Sequence, residues 1–169
     1  GIQAHVLDYD DVSPSMYGHP SVAILPAIIA VAEKYRCTGR QVITAYILAV
    51  ETVGRLGDVV NPLHYDLGWH ATGTLGSIGS AVGVGKLLNL TKTQLQRTMG
   101  LAASNASGVI ENFGTMTKSY HAGKAAESGV RAALLISEGW DASEKIFDSN
   151  QGIVKCFTAG KEYHADLMS

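Results

Sequence analysis

At 169 residues the chain is the size of one domain, and 46% hydrophobic against 17% charged residues supports a buried core, which excludes long disorder. A net charge of −2, from 13 basic and 15 acidic side chains that are well interspersed, leaves no basic face for nucleic acid or an anionic membrane surface. Two cysteines, Cys37 and Cys156, exclude a disulfide framework and lack metal-ligand spacing. Both read as packing residues in a reducing compartment, and with no secretory leader or long apolar span the expected location is cytoplasmic.

Helical periodicity dominates and no segment alternates with period two, so the expected fold is all-α, a multi-helix bundle in one domain. Gly1 to Leu7 reads as the last turns of a helix whose start lies outside the chain, with neither an initiator Met nor a capping residue. The chain is therefore expected to be a fragment of a longer protein. A helix from Pro20 to about Arg36 places Val22, Leu25, Ile28, Ile29 and Ala32 at helical spacing, with proline tolerated in its first turn. A second, about Arg40 to Leu56, puts Ile43, Tyr46, Ile47, Val50 and Val53 on one face, and Gly57 to Gly68, with Asn61-Pro62, reads as a loop.

The third helix, about Thr74 to Leu88, holds Gly76, Gly79, Ser80, Gly83 and Gly85 inside it. Each glycine costs a helix interior roughly 1 kcal/mol relative to alanine, so small residues at three- and four-residue steps predict a stripe where other helices come very close. This helix is expected at the centre of the bundle. Thr91 with Gln94 three residues on forms a capping box for a fourth helix, about Lys92 to Ala106. A fifth runs from Gly123 to Gly139, Asp141 to Phe147 offers a short sixth, and Asp148 to Ser169 reads as irregular.

Nucleotide motifs are absent. Gly83-Val84-Gly85-Lys86 resembles the tail of a phosphate loop, but Leu87 replaces the required Ser or Thr and Leu88 occupies the third glycine of a dinucleotide fingerprint. Three other segments share one logic. Asp8-Tyr9-Asp10-Asp11 gathers carboxylates ahead of Gly18-His19-Pro20-Ser21; Gly68-Trp69-His70-Ala71-Thr72-Gly73-Thr74 places a second histidine just before a helix; Thr115 to Gly123 adds Lys118 and His121 at a third such junction. Helix N-termini favour anions, and histidine moves protons near neutral pH. Converged, these junctions make a pocket for a polycarboxylate. Each feature also has a plainer meaning: a lone histidine before a helix is commonly a cap, adjacent aspartates are commonly turn residues, and a single lysine is commonly on the surface.

These segments resemble the MmgE/PrpD family, whose activities are those of 2-methylcitrate dehydratase, cis-aconitate decarboxylase and iminodisuccinate epimerase. The resemblance rests on His5-Val6-Leu7-Asp8-Tyr9-Asp10-Asp11, His19-Pro20-Ser21, Trp69-His70 running into Gly73-Thr74-Leu75-Gly76, and above all Asn112-Phe113-Gly114-Thr115-Met116-Thr117-Lys118 with His121-Ala122-Gly123. Order and separation also fit over nearly the whole chain. The resemblance implies a helical domain that cradles substrate beneath a smaller lid domain, absent here. It also implies a homodimer, no metal or organic cofactor, and lyase or isomerase chemistry by proton abstraction next to a carboxylate of a small di- or tricarboxylic acid.

By position Asp8, His19, His70 and Lys118 match the family's active-site residues. His70 is implied as acid or base, His19 and Lys118 as carboxylate clamps, Asp8 as the residue orienting a histidine, with Thr117 and His121 also toward substrate. Val12 departs from a common threonine, Ala71 and Ser119 from common prolines, and the loop from Asp11 to His19 is slightly long. Because the family's remaining site residues belong to the lid, this chain alone is expected to be inactive. The competing reading is a truncated, non-catalytic helical module for dimerisation or small-acid binding.

Overall fold

The computed structural model describes residues 1–161, and among these the regular structure is entirely helical. Eight helices follow in chain order: α1 Ile2–His5, α2 Pro20–Tyr35, α3 Gly39–Val60, α4 Leu63–Asp66, α5 Ala71–Leu87, α6 Lys92–Ser104, α7 Met116–Ser137 and α8 Ile153–Phe157. A 3₁₀ turn covers Ile110–Asn112, and two isolated antiparallel bridges pair Ser13 with Gly18 and Trp69 with Val109. Among the described residues no helix is long and apolar enough to cross a membrane.

α5 is the axis of the bundle, surrounded by α2, α3, α6 and α7, and Lys86 is its one exposed residue. Its small residues are the reason it can sit there. A methyl group on Gly76 would stand 2.8 Å from Ala23 Cβ of α2, and one on Gly79 would run into Val53 of α3 and come within 3.1 Å of Ile24 Cδ1. On the opposite side, Gly129 of α7 lies over Ser80 and 2.6 Å from Ala81 N once a Cβ is built on it. Close packing of this kind replaces side-chain bulk with backbone proximity.

The same crowding decides which face of α3 turns inward. Of the expected stripe Val53 is buried and Tyr46 and Val50 are half-buried, but Ile43 and Ile47 are each 61% exposed; Ala45, Ala49 and Val53 line the buried side, the last two against Gly79 and Gly83 of α5. Against a glycine-lined helix only small side chains fit, so alanines win the interface over the larger isoleucines. In α2 likewise Ile24 and Ile28 are buried and Ile29 is exposed.

Other boundaries shift for local reasons. The segment read as a loop from Gly57 is helical at both ends: α3 continues to Val60 and α4 begins at Leu63, joined through a cis Asn61–Pro62 bond. Asn61 Nδ2 donates to Ser15 O at 3.1 Å and to Met16 O at 3.0 Å, pinning the 12–18 loop beneath the site. α7 begins two turns before Gly123, because Thr115 accepts a hydrogen bond from Thr117 N at 3.2 Å and starts the helix there. Residues 141–147 form no helix, whereas Ile153–Phe157 does, within a stretch read as irregular; residues 162–169 lie outside the described residues. The Thr91–Gln94 capping box forms as expected, with Gln94 N donating to Thr91 Oγ1 at 3.3 Å. Cys37 packs against the core, but Cys156 is exposed and is not a packing residue.

Candidate active site

Four short sequences meet at one end of α5. Gly18 makes the meeting possible: a Cβ there would stand 2.9 Å from Thr72 N, so the N-termini of α2 and α5 nearly touch. His19 N donates to Thr72 Oγ1 at 3.0 Å and locks the two starts together. His19 and His70 are the N-cap residues of these helices, yet neither side chain makes a capping hydrogen bond. Both imidazoles are turned away from their own helix and toward each other's neighbourhood. α1 closes a third side by packing Ile2 over Gly123 of α7, which brings His5 inward until it is 1% exposed. The first turns of α7 supply Lys118, Ser119 and His121.

The resulting network is dense in titratable groups. Asp8 Oδ1 accepts from Lys118 Nζ at 2.8 Å and stands 3.6 Å from His19 Nε2. Asp10 Oδ2 lies between two imidazoles, 2.8 Å from His5 Nδ1 and 3.2 Å from His19 Nδ1. His5 and His19 meet edge to face with centroids 4.6 Å apart, and His70 stacks on His5 at 6.1 Å. On its other side His70 meets the edge of Phe113 at 4.8 Å, and the Lys118 ammonium lies 5.1 Å from the same Phe113 ring. Behind His70, its Nδ1 is 2.9 Å from His121 Nδ1.

Asp8 has a left-handed backbone, φ 56°, which turns Tyr9 outward and Asp10 inward. Such a conformation is uncommon for a residue with a Cβ, though Asp tolerates it better than most. The lysine hydrogen bond holds the Asp8 carboxyl below its ordinary range. Burial pushes His5 down against the opposing pull of Asp10. His70 is pushed down to about 3, first by burial and then by the neighbouring His121. His121 is lowered too, chiefly by burial.

Two cavities open onto this cluster and share Lys118. One of about 260 Å³ is lined by His19, His70, Lys118, Phe113, Tyr17 and Tyr65, with Val12 and Gly18. The other, about 470 Å³, is lined by His5, Asp8, Thr115, Lys118 and Ser119 together with Ile2, Val6, Gly114 and Met116. Of the residues singled out in the sequence, His19, His70 and Lys118 thus converge on one cavity and Asp8 faces the adjoining one. Thr117 and His121 are in neither lining: Thr117 sits in the first turn of α7, and His121 stands behind His70. His5 has no site role in the sequence analysis, and Asp10 stands there as one carboxylate of the Asp8–Asp11 cluster, with a turn residue as its plainer meaning. The carboxylate nearer to His19 is Asp10, not Asp8. The alternation Asp8-Tyr9-Asp10 puts one acid on each side of an outward tyrosine.

Atoms of His5, Asp8, Asp10 and His19 all lie within 4.8 Å of one another, a spacing a divalent cation could bridge. Lys118 already supplies positive charge to Asp8, and the 2.8 Å contact of His5 with Asp10 is a hydrogen bond. His5 Nε2 and Asp10 Oδ1 of the cluster are buried without a hydrogen-bond partner.

The MmgE/PrpD N-terminal domain model matches residues 1–166. Among curated proteins the chain is similar to the cis-aconitate decarboxylase of Homo sapiens, with 31% identity over 164 residues, covering 90% of this chain and 32% of the relative. It is also similar to the cis-aconitate decarboxylase of Aspergillus terreus, with 32% identity over 170 residues, covering 94% of this chain and 34% of the relative. The chain spans about a third of the length of these relatives.

Proposed function

The chain belongs to the MmgE/PrpD family, and from that premise we propose that it forms one wall of the active site of a lyase or isomerase acting on a small di- or tricarboxylic acid. Cis-aconitate is the first candidate, since the similar curated proteins carry that activity in their names. The observation that carries the reading is the convergence of His19, His70 and Lys118, from three helix starts, on one cavity of about 260 Å³.

Lys118 and His19 are the carboxylate clamps: an ammonium and an imidazole at the mouths of helices offer charge-assisted hydrogen bonds to an anion. His70 carries the proton. Burial disfavours a charge on it, and its neighbours His121, His5, Lys118 and His19 disfavour it further. A polyanionic substrate in the same cavity acts in the opposite direction, raising the proton affinity of His70 when, and only when, the acid is bound. The enediolate-like charge that develops next to the substrate carboxylate is then met by Lys118 and His19. Asp10 keeps His19 oriented, and Asp8 holds Lys118 until a substrate carboxylate takes its place. The reaction as read needs no metal or organic cofactor. A homo-oligomer belongs to the same reading, supported by Ile43 and Ile47, which lie exposed on one face of α3.

The test is to assay the full-length protein with cis-aconitate, 2-methylcitrate and iminodisuccinate while measuring its mass in solution. Turnover of cis-aconitate that falls about 10²–10⁴-fold in His70→Ala supports the reading. The absence of both turnover and binding for all three acids overturns it.

A further inference from the structure

We propose that His121 is a positioning residue for His70, fixing its tautomer so that a bare Nε2 is presented to the cavity. This rests on the reading of His70 as the proton carrier. His121 lines neither cavity of the site, so contact with the substrate does not account for its burial to 8% exposure. What it touches is His70, Nδ1 to Nδ1 at 2.9 Å, in a buried contact between residues 51 positions apart.

The seat of His121 is built for it. Gly108, at φ +128°, lays its backbone on the His121 ring so closely that a Cβ would stand 3.1 Å from Nδ1 and 3.2 Å from Cγ. The same Gly108 accepts a hydrogen bond from His70 N at 3.0 Å. A methyl group on Gly73 would meet His121 Cβ at 3.3 Å. One glycine therefore seats one imidazole and grips the backbone of the other, while Phe113 closes the far side of His70.

Two imidazole nitrogens at hydrogen-bond distance share one proton, so one ring donates and the other accepts. Either His70 donates its Nδ1–H to His121 Nδ1, leaving His70 Nε2 with a lone pair, or the pattern is reversed and Nε2 carries a proton. The Lys118 ammonium on the cavity side disfavours a proton at Nε2, so the first arrangement is the resting one. When Nε2 takes a proton from substrate carbon, the electron pair of the broken C–H bond stays on the substrate. His70 becomes an imidazolium whose Nδ1–H remains bonded to neutral His121. That bond becomes charge-assisted only after the proton has moved, so it favours the step.

The experiment compares His121→Phe, which keeps ring volume but cannot accept a proton, with His121→Asn, whose side-chain amide reaches the position of Nδ1. In the full-length enzyme His121→Phe is expected to lower kcat about 10–100-fold, as loss of histidine-orienting partners does elsewhere, with KM changed less than about threefold. Without the Nδ1 acceptor, the imidazolium of His70 is less stabilised, so the acid limb of the pH profile should fall to lower pH. His5, His19, Lys118 and Asp10, the other titratable groups around it, are unaltered in both variants. His121→Asn should recover most of kcat and return the limb. Ring-nitrogen NMR should show His70 as a single Nδ1–H tautomer in the wild type and a mixture in His121→Phe. A KM rise at constant kcat would make His121 a substrate ligand and overturn the proposal. Equal loss in Phe and Asn variants with an unmoved pH profile would reduce it to packing. If His70→Ala leaves turnover intact, the proton-carrier reading fails, and the NMR comparison still decides whether His121 sets the tautomer.

Discussion

Lys118 Nζ donates to Asp8 Oδ1 at 2.8 Å, joining the first turn of α7 to the turn after α1 across 110 positions of sequence. Asp8 is 56% exposed at the side chain, so the pair contributes little to stability and is free to exchange partners. Lys118→Ala is therefore expected to leave the melting temperature nearly unchanged and to raise KM for the acid at least about tenfold, the equivalent of one charge-assisted hydrogen bond. Lys118→Arg should recover part of the binding. Steady-state kinetics with thermal denaturation on the same samples checks both halves.

Asp10 behaves differently because it is enclosed. Its side chain is 9% exposed and Oδ2 faces two Nδ1 atoms, whereas Oδ1 is buried without a partner. Asp10→Asn keeps the shape and one acceptor oxygen but removes the charge that both imidazoles face. The expected cost is about 2 kcal/mol of stability together with a fall in kcat, since His19 is no longer held. Asp8→Asn should be nearly neutral in denaturant titration. Equal effects of the two variants would show that the turn, and not the buried hydrogen bonds, is what matters.

The central helix was readable from spacing alone, because Gly76, Gly79 and Gly83 have no local justification and only close packing explains them. His19, His70 and Lys118 were readable from the order of their motifs. The remainder depended on approach between distant segments. His5 sits on a four-residue helix with no amphipathic pattern, and its importance comes from Ile2 docking on Gly123. Reading Gly123 as a helix start hid the same contact, since that glycine is inside α7 to admit α1. The inward face of α3 was misread at Ile43 and Ile47 because hydrophobicity ranks isoleucine above alanine, while the glycine stripe of α5 ranks them by size.

Gly129→Ala tests that stripe where it cannot yield. The added methyl would overlap Ser80 and stand 2.6 Å from Ala81 N, which is backbone. No rotamer change relieves it, so overpacking costs of about 1–3 kcal/mol should exceed the roughly 1 kcal/mol gained in helix propensity. Gly39→Ala, where no atom lies within 4 Å of the new Cβ, should be neutral or slightly stabilising. A chemical denaturation midpoint for each variant gives the comparison.

The cluster of His5, Asp8, Asp10 and His19 yields a prediction about metal ions. With Asp8 engaged by Lys118 and Asp10 by His5, dialysis against a chelator is expected to leave turnover unchanged. Added zinc, able to displace those hydrogen bonds and use the 4.8 Å spacing, should inhibit, and the inhibition should weaken in Asp10→Asn. Loss of turnover on chelation, restored by a metal, would overturn the cofactor-free reading.

His64 supplies a pH test independent of catalysis. It is fully buried beneath the site, its Nε2 2.9 Å from Thr74 Oγ1 and its Nδ1 without a partner, and burial pushes it down to about 4. The unfolded chain, with histidine near 6.5, therefore binds a proton that the folded chain refuses between about pH 6.5 and 4. Stability is complete above pH 6.5 and declines as pH falls through that window, because protonation drains the population toward the unfolded state. At pH 5 the loss from this residue is about 2 kcal/mol, 1.36 kcal/mol for each unit below 6.5, and His70, lowered to about 3, adds a similar amount. His64→Phe removes the first contribution without stranding Thr74, whose hydroxyl still donates to His70 O at 3.3 Å. Phe157 and Trp69 already border the ring, so an aromatic replacement suits the site. Urea titrations at pH 7 and pH 5 should show a smaller acid loss in His64→Phe than in the wild type. An identical loss in both would mean that His64 is charged within the folded protein, contrary to its burial.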